Sequence, residues 1–128
     1  MKILRYSEKY EALLFDLLAG EGLGWSVYYD SAGRERYIRA LETSITYIAC
    51  DDGLVCGYVR CRADDGFGIY VYDLLVRKSH RGRRIGKSLV QQVCRDFPDQ
   101  RVYVMSDEDS YYEKIGYHRV GSIFSVNL

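Results

Sequence analysis

At 128 residues and a formal net charge of zero, the chain is long enough for one real core and too short for two, so a single domain over residues 1–128 is expected. That charge balance excludes a surface built throughout to coat nucleic acid or an anionic membrane, and the longest apolar runs are too short to cross a bilayer. The opening MKILRYSEKY carries no apolar signal core, which makes the cytoplasm the expected address.

In chain order, residues 2–6 (KILRY) form a short edge strand. From Ser7, a candidate N-cap, the residues Tyr10, Leu13, Leu14, Leu17 and Leu18 fall at helical spacing until Gly20, Gly22 and Gly24 dissolve the helix. GWSVYYDSAG (24–33) reads as an aromatic loop and RERYIRALET (34–43) as a second short helix. The period then becomes that of strands: ITYIAC (45–50), LVCGYVRCRA (54–63) and GIYVYDLLV (68–76). Turns at Asp51-Asp52-Gly53 and Asp64-Asp65-Gly66 join them into an antiparallel meander. A helix over about residues 84–96 follows, with Ile85, Leu89, Val90, Val93, Cys94 and Phe97 on one face and Pro98 where it stops. It leads to a strand RVYVM (101–105). Strand, helix and strand make a crossover, which predicts that 101–105 runs parallel to 68–76. A short helix around 108–115 and a last strand near 121–127 complete the chain.

The four cysteines, Cys50, Cys56, Cys61 and Cys94, contain no C-x-x-C pair, and only His80 and His118 could complete a metal site, so no metal is expected. Three lie in strand segments and Cys94 on a helix face, a pattern of buried reduced thiols.

The segment RKSHRGRRIGK (77–87) holds six cations, Arg77, Lys78, Arg81, Arg83, Arg84 and Lys87, and no acid. Its IGKS run looks at first like the phosphate loop of a nucleotide hydrolase, but that loop needs glycine, four residues, then Gly-Lys-Ser, and Gly82 is one residue too close to Gly86. The segment lies between a strand and a helix start. A helix N-terminus already carries partial positive charge and unpaired N–H groups, so cations stacked there point to an anionic, phosphate-bearing ligand. Solvated loop charges and a nucleic-acid patch are the competing readings. The compactness of the cluster and the absence of interleaved aromatic residues weigh against nucleic acid as a partner.

Taken with Val76 and the helix that follows, VRKSHRGRRIGKSL (76–89) resembles the coenzyme A-binding motif of the GCN5-related N-acetyltransferases, Arg/Gln-x-x-Gly-x-Gly/Ala. Arg81 and Gly86 match its first and last positions, while Arg84 replaces its first glycine. SYYEKIGY (110–117) is similar to the same family's aromatic segment near the C-terminus, with Tyr111, Tyr112, Gly116 and Tyr117 on its positions. The resemblance implies an α/β (α+β) fold: a mixed, mostly antiparallel sheet of six to seven strands, flanking helices, and a pyrophosphate loop between strand 4 and its helix. It also implies acetyl-CoA as acyl donor and direct transfer to a primary amine of a small molecule, peptide or protein. The donor would be held by main-chain groups of Leu74, Leu75 and Val76 and by Arg81, Gly82, Arg83, Arg84, Ile85, Gly86 and Lys87. Tyr112 takes the place of the general acid that protonates the departing thiolate.

For a general base the chain offers Asp73, beside the expected oxyanion site, where an aspartate can equally make a structural hydrogen bond. The acceptor side falls to the N-terminal helices and loops. There Trp25, Tyr28, Tyr29 and Tyr37 are candidate walls, and Asp30 and Glu35 candidate attractants for a cationic amine; Asp107, Glu108 and Asp109 either steer cations or start the short helix. A non-catalytic acyl-CoA-binding regulatory module and a nucleic-acid-binding module are the alternative functions, and an edge strand allows a homodimer.

Overall fold

The computed structural model describes residues 1–128. Its five-stranded sheet runs in the order β1 (Lys2–Arg5), β2 (Ile45–Asp51), β3 (Leu54–Ala63), β4 (Ile69–Val76), β5 (Val102–Val104). Neighbours are antiparallel except β4 and β5, which pair in parallel as the crossover requires. Asp52 and Gly53 both have positive φ, at 49° and 78°, as a tight turn between twisted strands demands.

One face of the sheet is covered by α4 (Ile85–Asp96). Its period places Ile85, Leu89, Val90 and Val93 on Cys56, Val59, Cys61 and Val71. The other face is covered by α1 (Glu11–Glu21) and α3 (Arg34–Glu42), where Leu14, Phe15, Leu17, Leu18, Tyr37 and Leu41 pack on Ile48, Val55, Tyr58 and Leu75. Each such aliphatic side chain removed from water contributes about 1.5–3 kcal/mol, so the two layers together fix the sheet that carries the site.

A bulge in β4 sets which residues face which layer. Arg60 pairs with Asp73 but Cys61 pairs with Val71, leaving Tyr72 as the extra residue. Ile69 and Val71 lie with the α4 layer, and after the bulge Asp73 and Leu75 turn to the layer of α1 and α3. Leu74 and Val76 take over the α4 side.

Several expectations change. Ser7 makes no side-chain cap; the first turn is a 3-10 turn at Glu8–Tyr10, and α1 runs through Gly20 to Glu21. The aromatic loop contains a 3-10 turn at Leu23–Trp25 and a one-turn helix α2 (Ser26–Tyr29), held because Trp25 packs on Tyr58 and Tyr28 on Tyr37. Cys94 is exposed and Cys50 half-buried, whereas Cys56 and Cys61 are buried. The sheet has five strands where six to seven were expected, and residues 121–127 form none. A segment becomes a strand only by pairing, and here a groove of about 1160 Å³ separates the outer side of β5 from residues 116–123. Val120, Ile123, Phe124, Val126 and Leu128 are therefore exposed despite their strand-like composition. No helix is long and apolar enough to cross a membrane.

Candidate active site

The site begins where β4 and β5 part. Their ladder ends with Met105 N–H donating to Val71 O, and beyond it β4 continues paired only to β3. Arg77 N–H donates to Cys56 O, so by the alternation of an antiparallel ladder Leu75 and Asp73 also turn their main-chain groups to β3. Leu74 and Val76 turn theirs into the fork. Leu75 thus leaves the expected donor-binding set: its main chain is spent on β3 and its side chain is buried on the α1–α3 side.

Beside the fork, the loop after β4 enters α4 through Arg84, which holds a left-handed backbone at φ 61°, ψ 24°. This is the conformation that favours glycine, and it accounts for the glycine expected at that position. No side chain caps the helix, and the first backbone bond of its turn runs from Ser88 N–H to Arg84 O. The N–H groups from Gly82 to Lys87 consequently have no acceptor within the chain, a cradle for an anion.

The cations are less free than their sequence suggests, because distant acids come to them. Arg77 donates to Asp16 and to Val55 O, at 3.2 and 2.9 Å, and pins the end of β4 to α1 and β3. Arg81 reaches Glu21 at 2.7 Å and the Val76 carbonyl at 2.9 Å. Asp51 lies 3.1 Å from His80 and 4.0 Å from Arg83. Arg84, Lys78 and Lys87 have no acidic partner. Ile85 is buried in the core, so only its amide can serve a ligand. A Cβ on Gly86 would lie 2.5 Å from the Tyr111 hydroxyl and 3.6 Å from Val76.

On the other side of the fork is a cleft of about 180 Å³, lined by Trp25, Tyr28, Asp73, Leu74, Met105, Asp107 and Tyr112 among others. Tyr112 comes from α5 (Asp109–Lys114), is half-buried, and stacks on Tyr117 with ring centroids 6.1 Å apart. Burial, and then the negative charge of Asp107, push its hydroxyl pKa up, so the phenol stays protonated at neutral pH.

Asp73 is 4% exposed and fully engaged. Its Oδ1 accepts from the Tyr28 hydroxyl at 3.1 Å, and its Oδ2 from the Tyr37 hydroxyl at 2.6 Å and Arg60 Nε at 2.5 Å. The Tyr58 hydroxyl joins at 2.7 Å from Tyr37. An oxygen pair with three donors, one of them a guanidinium, is a structural anchor, which corrects the candidate base. Burial first and Asp73 next push the Tyr28 and Tyr37 hydroxyls up.

Among the expected acceptor residues, Trp25 and Tyr28 reach the cleft and the rest do not. Tyr29 donates to Gly22 O, and Asp30 Oδ1 accepts from Gly33 N–H to turn the chain into α3. Glu35 is exposed in the first turn of α3, away from the cleft. Asp107 is the side chain that brings a free carboxylate to the cleft.

A fork in a mixed sheet beside an uncapped helix start, with a half-buried phenol opposite, is the architecture of an acyl-CoA-dependent transferase. The chain belongs to the Acetyltransferase (GNAT) family, whose sequence profile matches residues 11–117, and acetyl-CoA is the cosubstrate that goes with it. No curated protein matches. Among solved structures the fold is similar to a GNAT family acetyltransferase from Streptococcus pneumoniae TIGR4, 22% identical over 98% of this chain and 97% of that one, with TM-score 0.75. It is also similar to a ribosomal-protein-alanine N-acetyltransferase from Brucella melitensis biovar Abortus 2308, 16% identical over 100% of both chains, TM-score 0.77. An aminoglycoside 6'-N-acetyltransferase complexed with coenzyme A is 20% identical over 94% of this chain and 87% of that one, TM-score 0.75.

Proposed function

We propose that the protein transfers an acetyl group from acetyl-CoA directly to a primary amine, with no covalent enzyme intermediate. The observation that carries this reading is the fork itself: Leu74 and Val76 turn main-chain groups into it, next to the unpaired amides that precede Ser88. Acetyl-CoA supplies an activated acyl group and an anionic pyrophosphate. The amides from Gly82 to Lys87 would hold the pyrophosphate, with Arg84 and Lys87 adding charge. The fork amides would bind and orient the acyl carbonyl, as preorganised donors do where negative charge develops. Tyr112 holds a proton at its hydroxyl for the leaving sulfur, and the proton that the attacking amine sheds passes to solvent, from which the phenol is restored. Asp73 keeps Tyr28, Tyr37 and Arg60 in place beneath the cleft and takes no part in moving that proton.

The test is the melting temperature with acetyl-CoA, coenzyme A, ATP and no ligand, since a ligand that binds only the folded state raises apparent stability. Clear shifts with both coenzymes and little with ATP are expected. A shift with ATP alone, or none, would overturn the reading.

A further inference from the structure

The cleft contains one negative charge that nothing in the chain balances. Asp73 is neutralised by Arg60, whereas Asp107 lines the same cleft with no hydrogen-bond or ion-pair partner. Its neighbours in sequence behave differently: Asp109 accepts from Ser106 at 2.7 Å and Glu108 from Ser110 at 2.9 Å, which ties both into the start of α5. Asp107 projects from the loop between β5 and α5, and its charge is felt by both Tyr28 and Tyr112, on opposite walls. Those walls are otherwise aromatic and aliphatic: Trp25, Tyr28, Leu74, Met105 and Tyr112.

Resting on the acetyltransferase reading, we infer that Asp107 recognises a positive charge on the acceptor other than the reacting nitrogen, so that the acceptor is a slender aliphatic amine with a second cationic group. The reacting amine must be neutral to attack, and a carboxylate set directly against it would hold its proton on. The charge read at Asp107 is therefore productive only when it sits elsewhere on the acceptor. About 180 Å³ is small beside drug-sized pockets of roughly 300–1,000 Å³, which suits a methylene chain lying against Trp25 and Met105. The faces of Trp25 and Tyr28 favour a cation, and an acceptor carrying a carboxylate in its place meets the charge of Asp107 without compensation. A cation at Asp107 also relieves the charge that holds the Tyr112 proton in place.

The experiment compares three acceptors of equal chain length: an alkane diamine, the alkyl monoamine and the ω-amino acid. With wild-type protein, kcat/KM should fall in that order, by up to about fivefold per step, the scale of one exposed ion pair. Asp107→Asn should bring diamine and monoamine to parity through KM, and Asp107→Lys should place the amino acid first. Asp107 is exposed on a loop, so these variants keep the fold, and an unchanged melting shift with acetyl-CoA verifies the donor site. Preserved diamine preference in D107N, with that shift intact, overturns the inference alone. Loss of any acetyl-CoA shift in the wild-type protein overturns the acetyltransferase reading and this inference with it. A basic peptide outpacing every small diamine overturns the slender acceptor.

Discussion

Arg60 Nε sits 2.5 Å from Asp73 Oδ2, and the two residues face each other across the β3–β4 ladder at the bulge. Both side chains are largely buried, at 12% and 4% exposure, so each is the other's only counter-charge. Removing one partner leaves the other desolvated and uncompensated. Asp73→Ala should therefore destabilise the protein by about 3–5 kcal/mol, read from urea unfolding. Replacing both residues together should cost less than the sum of the single changes.

Tyr112→Phe separates chemistry from binding. The ring and its stack on Tyr117 remain, and only the proton is lost. A fall in kcat of about a hundredfold, the lower end of general acid catalysis, is expected with an unaltered coenzyme A melting shift. Equal loss of both would move Tyr112 from proton donor to packing residue.

Arg84 offers a test of backbone strain. Its left-handed conformation costs a residue with a Cβ about 1–2 kcal/mol relative to glycine. Arg84→Ala and Arg84→Gly both remove the charge, yet the glycine variant should be more stable than the alanine one by about 1 kcal/mol. Thermal melts of the pair decide it, and an alanine variant at least as stable would mean that the loop relaxes out of this conformation.

High pH should open the acceptor side. Tyr28, Tyr37, Tyr58 and Tyr112 all have hydroxyls pushed above the ordinary tyrosine value by burial, with the acids Asp73 and Asp107 contributing. The folded state keeps these protons when the unfolded chain has begun to lose them. Their stabilisation is thus full below about pH 10, the ordinary tyrosine pKa, and declines above it. Tyrosinate absorbance should rise in two stages, exposed rings first and these four only as the fold is lost. A single early transition for every tyrosine would contradict the buried network.

The meander, the crossover and α4 were legible in the sequence because each rests on local signals: alternation in 45–50, 54–63 and 68–76, Asp-Gly turns, and the spacing of Ile85, Leu89 and Val93. The last strand was misread because composition alone cannot supply a neighbour, and residues 121–127 have none. Tyr112 was singled out through its aromatic segment and Trp25 and Tyr28 through their place in the aromatic loop, and all three line the cleft. What was hidden is long-range. Nothing near residues 77–87 in sequence announces that Asp16, Glu21 and Asp51 partner its cations. In sequence Asp107, Glu108 and Asp109 read alike, as a run that steers cations or starts the short helix, and only the fold separates Asp107 from the other two.

The extra residue at Tyr72 shifts the phase of β4 by half a pleat, so chain length at one position decides what each later side chain serves. Four consecutive residues then divide between two chambers, with Asp73 and Leu75 toward the N-terminal helices and Leu74 and Val76 toward α4. The two layers can consequently change independently under mutation along a single strand. Were the ladder to run regularly with Tyr72 retained, the two sets of side chains would trade places, turning the Asp73 carboxylate into the α4 core and leaving Arg60 alone beneath the cleft, whereas deleting Tyr72 would remove only the bulge.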